Sequence, residues 1–441
     1  MSAHVMSAQA LGRRASTFTL TFAVIAAALS FTPQAHADRY KVVYTFQDGS
    51  DGSGPESNLL PDGAGGFYGT TYAGGGATTC VYDAGCGTVY HISPTKSGAW
   101  TETVLYRFGG SPDAGGPLGA LVKDSAGNLY GSTSGGGTLN CGTVFELSPP
   151  AVGNAWTDTV LHSFPCGTSD GSQPEGGLTW GPGGVLYGIT EYGGYYDLDC
   201  YEVGCGTVFQ LLPPAQAGGS WTESVIHEFS PEEVSAGGGV NLGLVVRDGI
   251  LYGATGEGGT YYDGSVLELS QQVGSWTYQD IFSFAEFEAP GNGYYPYAGV
   301  VLDGAGNIYG TAGSGGSGYG VVYELTEPGL ALNVLYSFEG SPNDGSDSKA
   351  SLAFDTAGNL YGTTAYGGSE AGQLCRTSGC GVVFELSNSS GAWSETVLHT
   401  FVGGTDGAYP FTPVYVHNGI VFGTAHNGGA KSAGIVFEII P

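Results

Sequence analysis

"GNLYGTTAYGG", residues 358–368, sets one aromatic residue between glycines, follows it with two threonines and ends on a glycine pair. The frame returns as GGFYGTTYAGG (65–75), GNLYGSTSGGG (127–137), GVLYGITEYGG (184–194), GILYGATGEGG (249–259), GNIYGTAGSGG (306–316) and GIVFGTAHNGG (419–429). Its central aromatics, Tyr68, Tyr130, Tyr187, Tyr252, Tyr309, Tyr361 and Phe422, stand 52 to 65 residues apart, a period that belongs to repeat architectures. A glycine three residues before each anchor, often in a "DxAGN" context, supplies the positive φ of a tight hairpin turn. The glycine directly after each anchor predicts a crowded position where a side chain would strike a neighbouring blade.

Around each anchor lie four short segments, shown in the second copy by "GALVKD", "NLYGST", "GTVFELS" and "WTDTVLHSF". Short length, alternation of period two, β-branched and aromatic content and glycine punctuation make these strands rather than helices. Four strands repeated about an axis form a propeller blade. The ends of the chain carry the same message. "RYKVVYTF" near the start matches a fourth segment, and the last copy stops after its third, "GIVFEII". Pairing residues 42–46 with residues 435–439 completes the last blade and leaves no open edge. The expected fold is an all-β, seven-bladed propeller of four-stranded blades closed three-plus-one, occupying residues 38–441 as one domain. The tryptophans Trp100, Trp156, Trp221, Trp276 and Trp393 open fourth strands at matching places, a regularity that signals structure rather than a sugar platform.

Residues 1–37 read as a cleaved signal peptide: Arg13 and Arg14, the apolar run "FTLTFAVIAAALSF" and the small-residue site Ala35-His36-Ala37. The expected location is secreted or periplasmic, with a twin-arginine route as the alternative. No later apolar run has the length of a membrane helix, so no membrane insertion is expected. Without the signal, nine basic residues face 40 acidic ones, a net charge of −31. That surface has no cationic footprint for phosphate, so nucleic acid is an unsuitable partner. The chain is expected to be a monomer.

Eight cysteines in an exported chain read as disulfides. Three pairs are local, Cys80–Cys86, Cys200–Cys205 and Cys375–Cys380, and each second member precedes the glycine that opens a third strand. Cys141 occupies that position in blade 2, and Cys166 follows the fourth strand. Loops after strands two and four emerge on one face of an up-and-down blade, so Cys141–Cys166 is allowed. Zinc at these thiols is disfavoured because blades 1, 3 and 6 are not neighbours and their pairs do not converge on one ion.

The pattern "D-G-x-x-P … D-x-x-G-N-L-Y-G-T-T-x-x-G-G … G-T-V-F-E-L" resembles the tandem repeat of the GloVer-containing exported bacterial proteins, and the similarity covers essentially the whole mature chain. The resemblance implies a secreted repeat protein with no established activity, and no catalytic residue transfers from it. Family members carry varied C-terminal anchors, a feature that the end of this sequence does not show.

Function is therefore sought where copies differ. The two residues before the glycine pair vary: Tyr72-Ala73, Ser134-Gly135, Glu191-Tyr192, Gly256-Glu257, Gly313-Ser314, Ala365-Tyr366 and His426-Asn427. All are expected on the face that carries the disulfide loops. Tyr72, Tyr192, Tyr195, Tyr196, Tyr201 and Tyr366 are the candidate ligand-binding aromatics, since tyrosine offers a flat apolar surface with a polar tip. Arg376 is a candidate for an acidic ligand group, its alternative being a nearby carboxylate. These features predict a binding or scaffold propeller that presents stapled loops to a neutral glycan or cell-surface partner. The alternative is a glycan-cleaving enzyme using Glu191 and Glu257 as a carboxylate pair, with His426 as proton carrier. No cofactor or metal is expected. Calcium at the Asp-Gly motif (Asp48, Asp170, Asp344, Asp406 and the related Asp113-Ala114) competes with a turn-forming aspartate, and turn chemistry is the preferred reading.

Overall fold

In the computed structural model, each repeat forms an antiparallel sheet of four strands, and seven such sheets make a ring. The structure describes residues 39–441 except 81–84, 154, 168–169, 196–199, 201–202, 217, 235–242, 287–288, 371–374 and 390. The signal-peptide reading of residues 1–37 lies outside the described residues. In blade 2 the strands run Val122–Lys123, Leu129–Thr133, Thr143–Ser148 and Thr157–Ser163, from the ring axis to the rim. The innermost strands are shorter than the sequence pattern suggests, often two residues, because the chain on either side of them turns into loops rather than continuing the ladder. In blade 1 the order gains one strand, Ser53–Pro55, beside Phe67–Ala73.

Ring closure follows the three-plus-one scheme. Arg39–Thr45 pairs with Ile435–Ile440 and completes the sheet that begins with Tyr415–His417 and Ile420–Ala425. The closing strand starts three residues earlier than the apolar pattern indicates, since Tyr40 packs on Phe401 and Phe437 and anchors the ladder's start.

The core consists of layers between blades. A phenylalanine ends each fourth strand, namely Phe46, Phe108, Phe164, Phe229, Phe284, Phe338 and Phe401, and all are buried. Six of them meet an aromatic of the next blade's third strand edge to face, as Phe46 does Tyr90 and Phe108 does Phe145, with centroids 5.1 Å apart in both cases. At blades 3 and 4 the partner of Phe229 is Leu267 instead. The glycine after six of the seven anchors lies under that same third-strand ring: a Cβ at Gly69 would sit 2.4 Å from the Tyr90 hydroxyl, and one at Gly423 2.5 Å from Phe437. The crowding is thus with the blade's own third strand, across the ladder, and not with the neighbouring blade.

The anchor aromatics make the contact between blades. Trp100 packs on Phe422, Trp156 on Tyr68, Trp221 on Tyr130 and Trp276 on Tyr187, at centroid distances of 5.9, 6.2, 5.9 and 5.7 Å. Each tryptophan reaches the anchor of the blade before it. The "DxAGN" turns are held by aspartate: Asp124 accepts from the Ala126 and Asn128 backbone N–H groups, and Gly127 has a φ of 90°.

All four disulfides form in the expected pairing. Short ladders also tie the loop after a second strand to the linker arriving from the previous blade, such as Gly135–Gly136 with Ala114–Gly115 and Tyr366–Gly367 with Gly345–Ser346. Both loop classes therefore share one face, and the variable pairs lie there. Among the described residues no helix is long and apolar enough to cross a membrane.

Candidate functional site at the channel mouth

The linker entering each innermost strand carries a proline in five blades, at Pro55, Pro117, Pro174, Pro296 and Pro410, and the next residue varies among glutamate, leucine, tyrosine and phenylalanine. These residues are Glu56, Leu118, Glu175, Tyr297 and Phe411, with Lys349 at the matching place in blade 6. Proline restricts the linker and removes a backbone donor, so the following side chain has a defined setting. Glu56, Leu118, Glu175, Lys349 and Phe411 all line an axial channel of 550 Å³ to which every blade contributes. An adjoining cavity of 330 Å³ lies between blades 1, 2 and 3, lined by Tyr72, Ser134, Asn140, Gln173 and Glu175 beside Cys80. Glu175 lines both spaces.

The electrostatics of this mouth are uneven around the ring. Burial, reinforced by the negative charges of Glu191 and Glu56, pushes the Glu175 carboxyl up to about 8. Burial also raises Glu191, against a hydrogen bond from Tyr192 that stabilises its charge. A carboxyl held neutral at ordinary pH both donates and accepts a hydrogen bond. Glu56 Oε1 lies 2.6 Å from His426 Nδ1, a close contact without the alignment of a hydrogen bond. On the other side of the ring, Tyr366, Tyr409, Phe411 and His426 form a chain of ring contacts with centroids 5.6 to 6.1 Å apart. Lys349 pairs with Asp347 at 3.2 Å and stands 5.6 Å over the Tyr297 ring.

The candidates from the sequence distribute as follows. Tyr72 lines the smaller cavity, and the charge of Glu191 acts on Glu175, which lines it too. Glu257 acts electrostatically on Tyr295 and Tyr297 of the next blade, so the two glutamates paired in sequence reading each have other close neighbours. Tyr192 and Tyr366 are half-buried in the short ladders, opposite Ser172 and Ser346. Tyr195 is exposed, while Tyr196 and Tyr201 lie outside the described residues. Arg376 is exposed and makes no ion pair among the described residues, so the carboxylate partner expected for it is not seen.

Glu175, Gln173 and Asn140 are not among the sequence candidates, since they lie outside the variable pairs that precede the glycine pair. The signal was present one element earlier, in the variation after each linker proline.

The Asp-Gly aspartates serve the turns. Asp113, Asp344 and Asp406 accept from the backbone N–H groups of Gly109, Glu339 and Val402 at 2.7 to 2.9 Å, and each also meets a tyrosine or histidine of the preceding strand. In blade 1 the equivalent residue is Asp51, which accepts from Gln47 N and Tyr44 Oη. Asp48 is not that residue: five positions separate Phe46 from Asp51, as they separate Phe108 from Asp113.

No match appears among functionally curated proteins. A crystal structure of a protein of unknown function from Dyadobacter fermentans DSM 18053 is similar at 12% identity with a TM-score of 0.42, covering 92% of this chain and 98% of that one. The Gloeobacter/Verrucomicrobia repeat model matches residues 28–201 and again 199–437. With both halves of the ring built from that repeat, the chain belongs to the Gloeobacter/Verrucomicrobia repeat family.

Proposed function

We propose that the protein is a secreted binding propeller that holds a neutral glycan at the channel mouth, in the cavity between blades 1, 2 and 3. One observation carries this reading: the cavity of a strongly acidic protein is lined by a phenol, a hydroxyl, two side-chain amides and a carboxyl pushed up to about 8. Such a lining offers hydrogen bonds of both senses with little fixed charge, and Tyr72 adds an apolar face for a sugar ring. Four disulfides fit an oxidising compartment, in keeping with export. Screening the mature protein on a glycan array tests the reading. Tyr72→Ala and Gln173→Ala should each weaken retention of a captured glycan by roughly tenfold, about 1.4 kcal/mol. Unchanged retention in both variants would remove the cavity from consideration.

A second reading rests on the same carboxyl. A protonated Glu175 beside Glu191 is the starting state of a general acid with a second carboxylate at hand, as glycan hydrolysis requires. Product analysis separates the two. Hydrolysis yields new reducing ends, and Glu175→Gln should then lower turnover by roughly 100-fold or more while sparing retention.

A further inference from the structure

The rim between blades 2 and 3 brings together three side chains from different elements. His162 belongs to the outer strand of blade 2, Asp170 to the linker that follows, and Glu223 to the outer strand Thr222–Glu228 of blade 3. One ligand atom from each, an imidazole nitrogen and two carboxylate oxygens, lies within 4.8 Å of the others. His162 Nε2 is 3.1 Å from Asp170 Oδ2. Asp170 is buried and the other two are half-buried, and Glu223 Oε1 is shielded from solvent with no hydrogen-bond partner among the described residues.

A carboxyl pair at this place is part of the repeat. Asp51 with Glu102, Asp113 with Asp158, and Asp344 with Glu395 face one another across the blade boundaries in the same way. There the third member is a phenol, Tyr44, Tyr106 or Tyr336, which donates to the aspartate. A phenol kept protonated by burial and neighbouring carboxylates does not ligate a cation. The two other rim histidines have a different neighbour from the next blade: His227 stacks on Tyr278 and His399 on Tyr40. Only between blades 2 and 3, among the described residues, does an imidazole meet two carboxylates.

We propose that His162, Asp170 and Glu223 bind one borderline divalent cation, with zinc as the reference ion, clamping blade 2 to blade 3. One nitrogen and two oxygens suit zinc, which takes three protein ligands and leaves a fourth position for water. Tetrahedral bonds of about 2.0–2.2 Å set ligand atoms about 3.3 Å apart, so His162 and Asp170 already stand at the required separation. Glu223 closes the site by a movement of at most about 1.5 Å, within reach of a side-chain rotation. The cation neutralises a buried and a half-buried carboxylate and supplies the partner that Glu223 Oε1 lacks. The Cys141–Cys166 bridge restrains the same linker, since Cys166 lies between His162 and Asp170.

The test uses the mature chain with its disulfides intact, stripped by a chelator and titrated with zinc alone by calorimetry, and with cobalt for its visible spectrum. One equivalent should bind, the melting temperature should rise with zinc, and cobalt should give a low-symmetry absorption band. His162→Tyr installs the residue found at three other boundaries and so serves as a fold-preserving variant. It and Glu223→Gln should lower zinc affinity by at least about 100-fold and abolish the cobalt band, whereas His227→Gln should change neither. Absence of one-equivalent binding, survival of the cobalt band in His162→Tyr, or its loss in His227→Gln would each overturn the assignment.

Discussion

Gly131, Gly188, Gly362 and Gly423 each face a phenylalanine of the adjoining strand, and a Cβ built there would sit 2.4 to 2.6 Å from the ring edge. Gly253 differs, because its neighbours are Leu244 and Leu267 at 3.2 and 3.6 Å. An overpacked core position costs about 1–3 kcal/mol, while a flexible leucine end gives way. Gly131→Ala should therefore lower stability by about 1–3 kcal/mol in chemical denaturation, and Gly253→Ala should stay within about 0.5 kcal/mol. Equal losses at both positions would mean that the backbone, and not the facing ring, demands glycine. The need for glycine was legible in the sequence from its recurrence, but its cause was not. A ladder register pairs Gly131 with Phe145, a partner 14 positions along that periodicity does not identify. Glu175 shows the complementary limit. Its identity as a variable residue was on view in "QPEGG", yet its raised pKa depends on burial and on Glu56 and Glu191, which arrive from other loops.

Strand pairs at the rim extend this to elements. Burial, then the charge of the aspartate opposite, pushes Glu102, Asp158 and Glu395 up to about 7, and one oxygen of each is buried without a hydrogen-bond partner. The unfolded chain titrates these groups near 4, so between about pH 4 and pH 7 the folded state holds protons that the unfolded state has lost. Stability from these pairs is complete below the unfolded value and falls as pH rises through 7. With allowance for the solvent that reaches each pair, the loss is on the order of 1 kcal/mol per site. The melting temperature should accordingly decline from pH 5 to pH 8, and Glu102→Gln with Glu395→Gln should flatten that decline and exceed the parent at pH 8. A parent flat over this range would show that the pairs are solvated and uncoupled. In the sequence these acids look like ordinary exposed positions of an amphipathic outer strand. Only the packing of one blade's outer strand against the next blade's linker sets carboxyl against carboxyl.

For the whole molecule, closure is the decisive contact. Removing residues 38–46 takes away the strand that pairs with Ile435–Ile440 and also Phe46, which packs on Tyr90 of blade 1. Such a deletion exposes an edge and two apolar faces, so the ring should lose its cooperative transition and not merely a few degrees of melting temperature. A truncated protein that melts like the parent would contradict the closed ring. By itself the sequence determined the number of blades, the strand order within them, the closing strand and the disulfide pairing. Each of these follows from local chemistry repeated at a fixed interval: turn glycines and aspartates, alternation of period two, and cysteines beside the same strand start. Tertiary structure alone decided which side chains meet at the channel mouth and at the rim. Tyr72, Ser134 and Glu175 are drawn from three separate loops, and His162 and Glu223 stand 61 positions apart. Propeller geometry converges loops of different blades on one axis, so the chemistry there arises between repeats, whereas periodicity records only what recurs within each one.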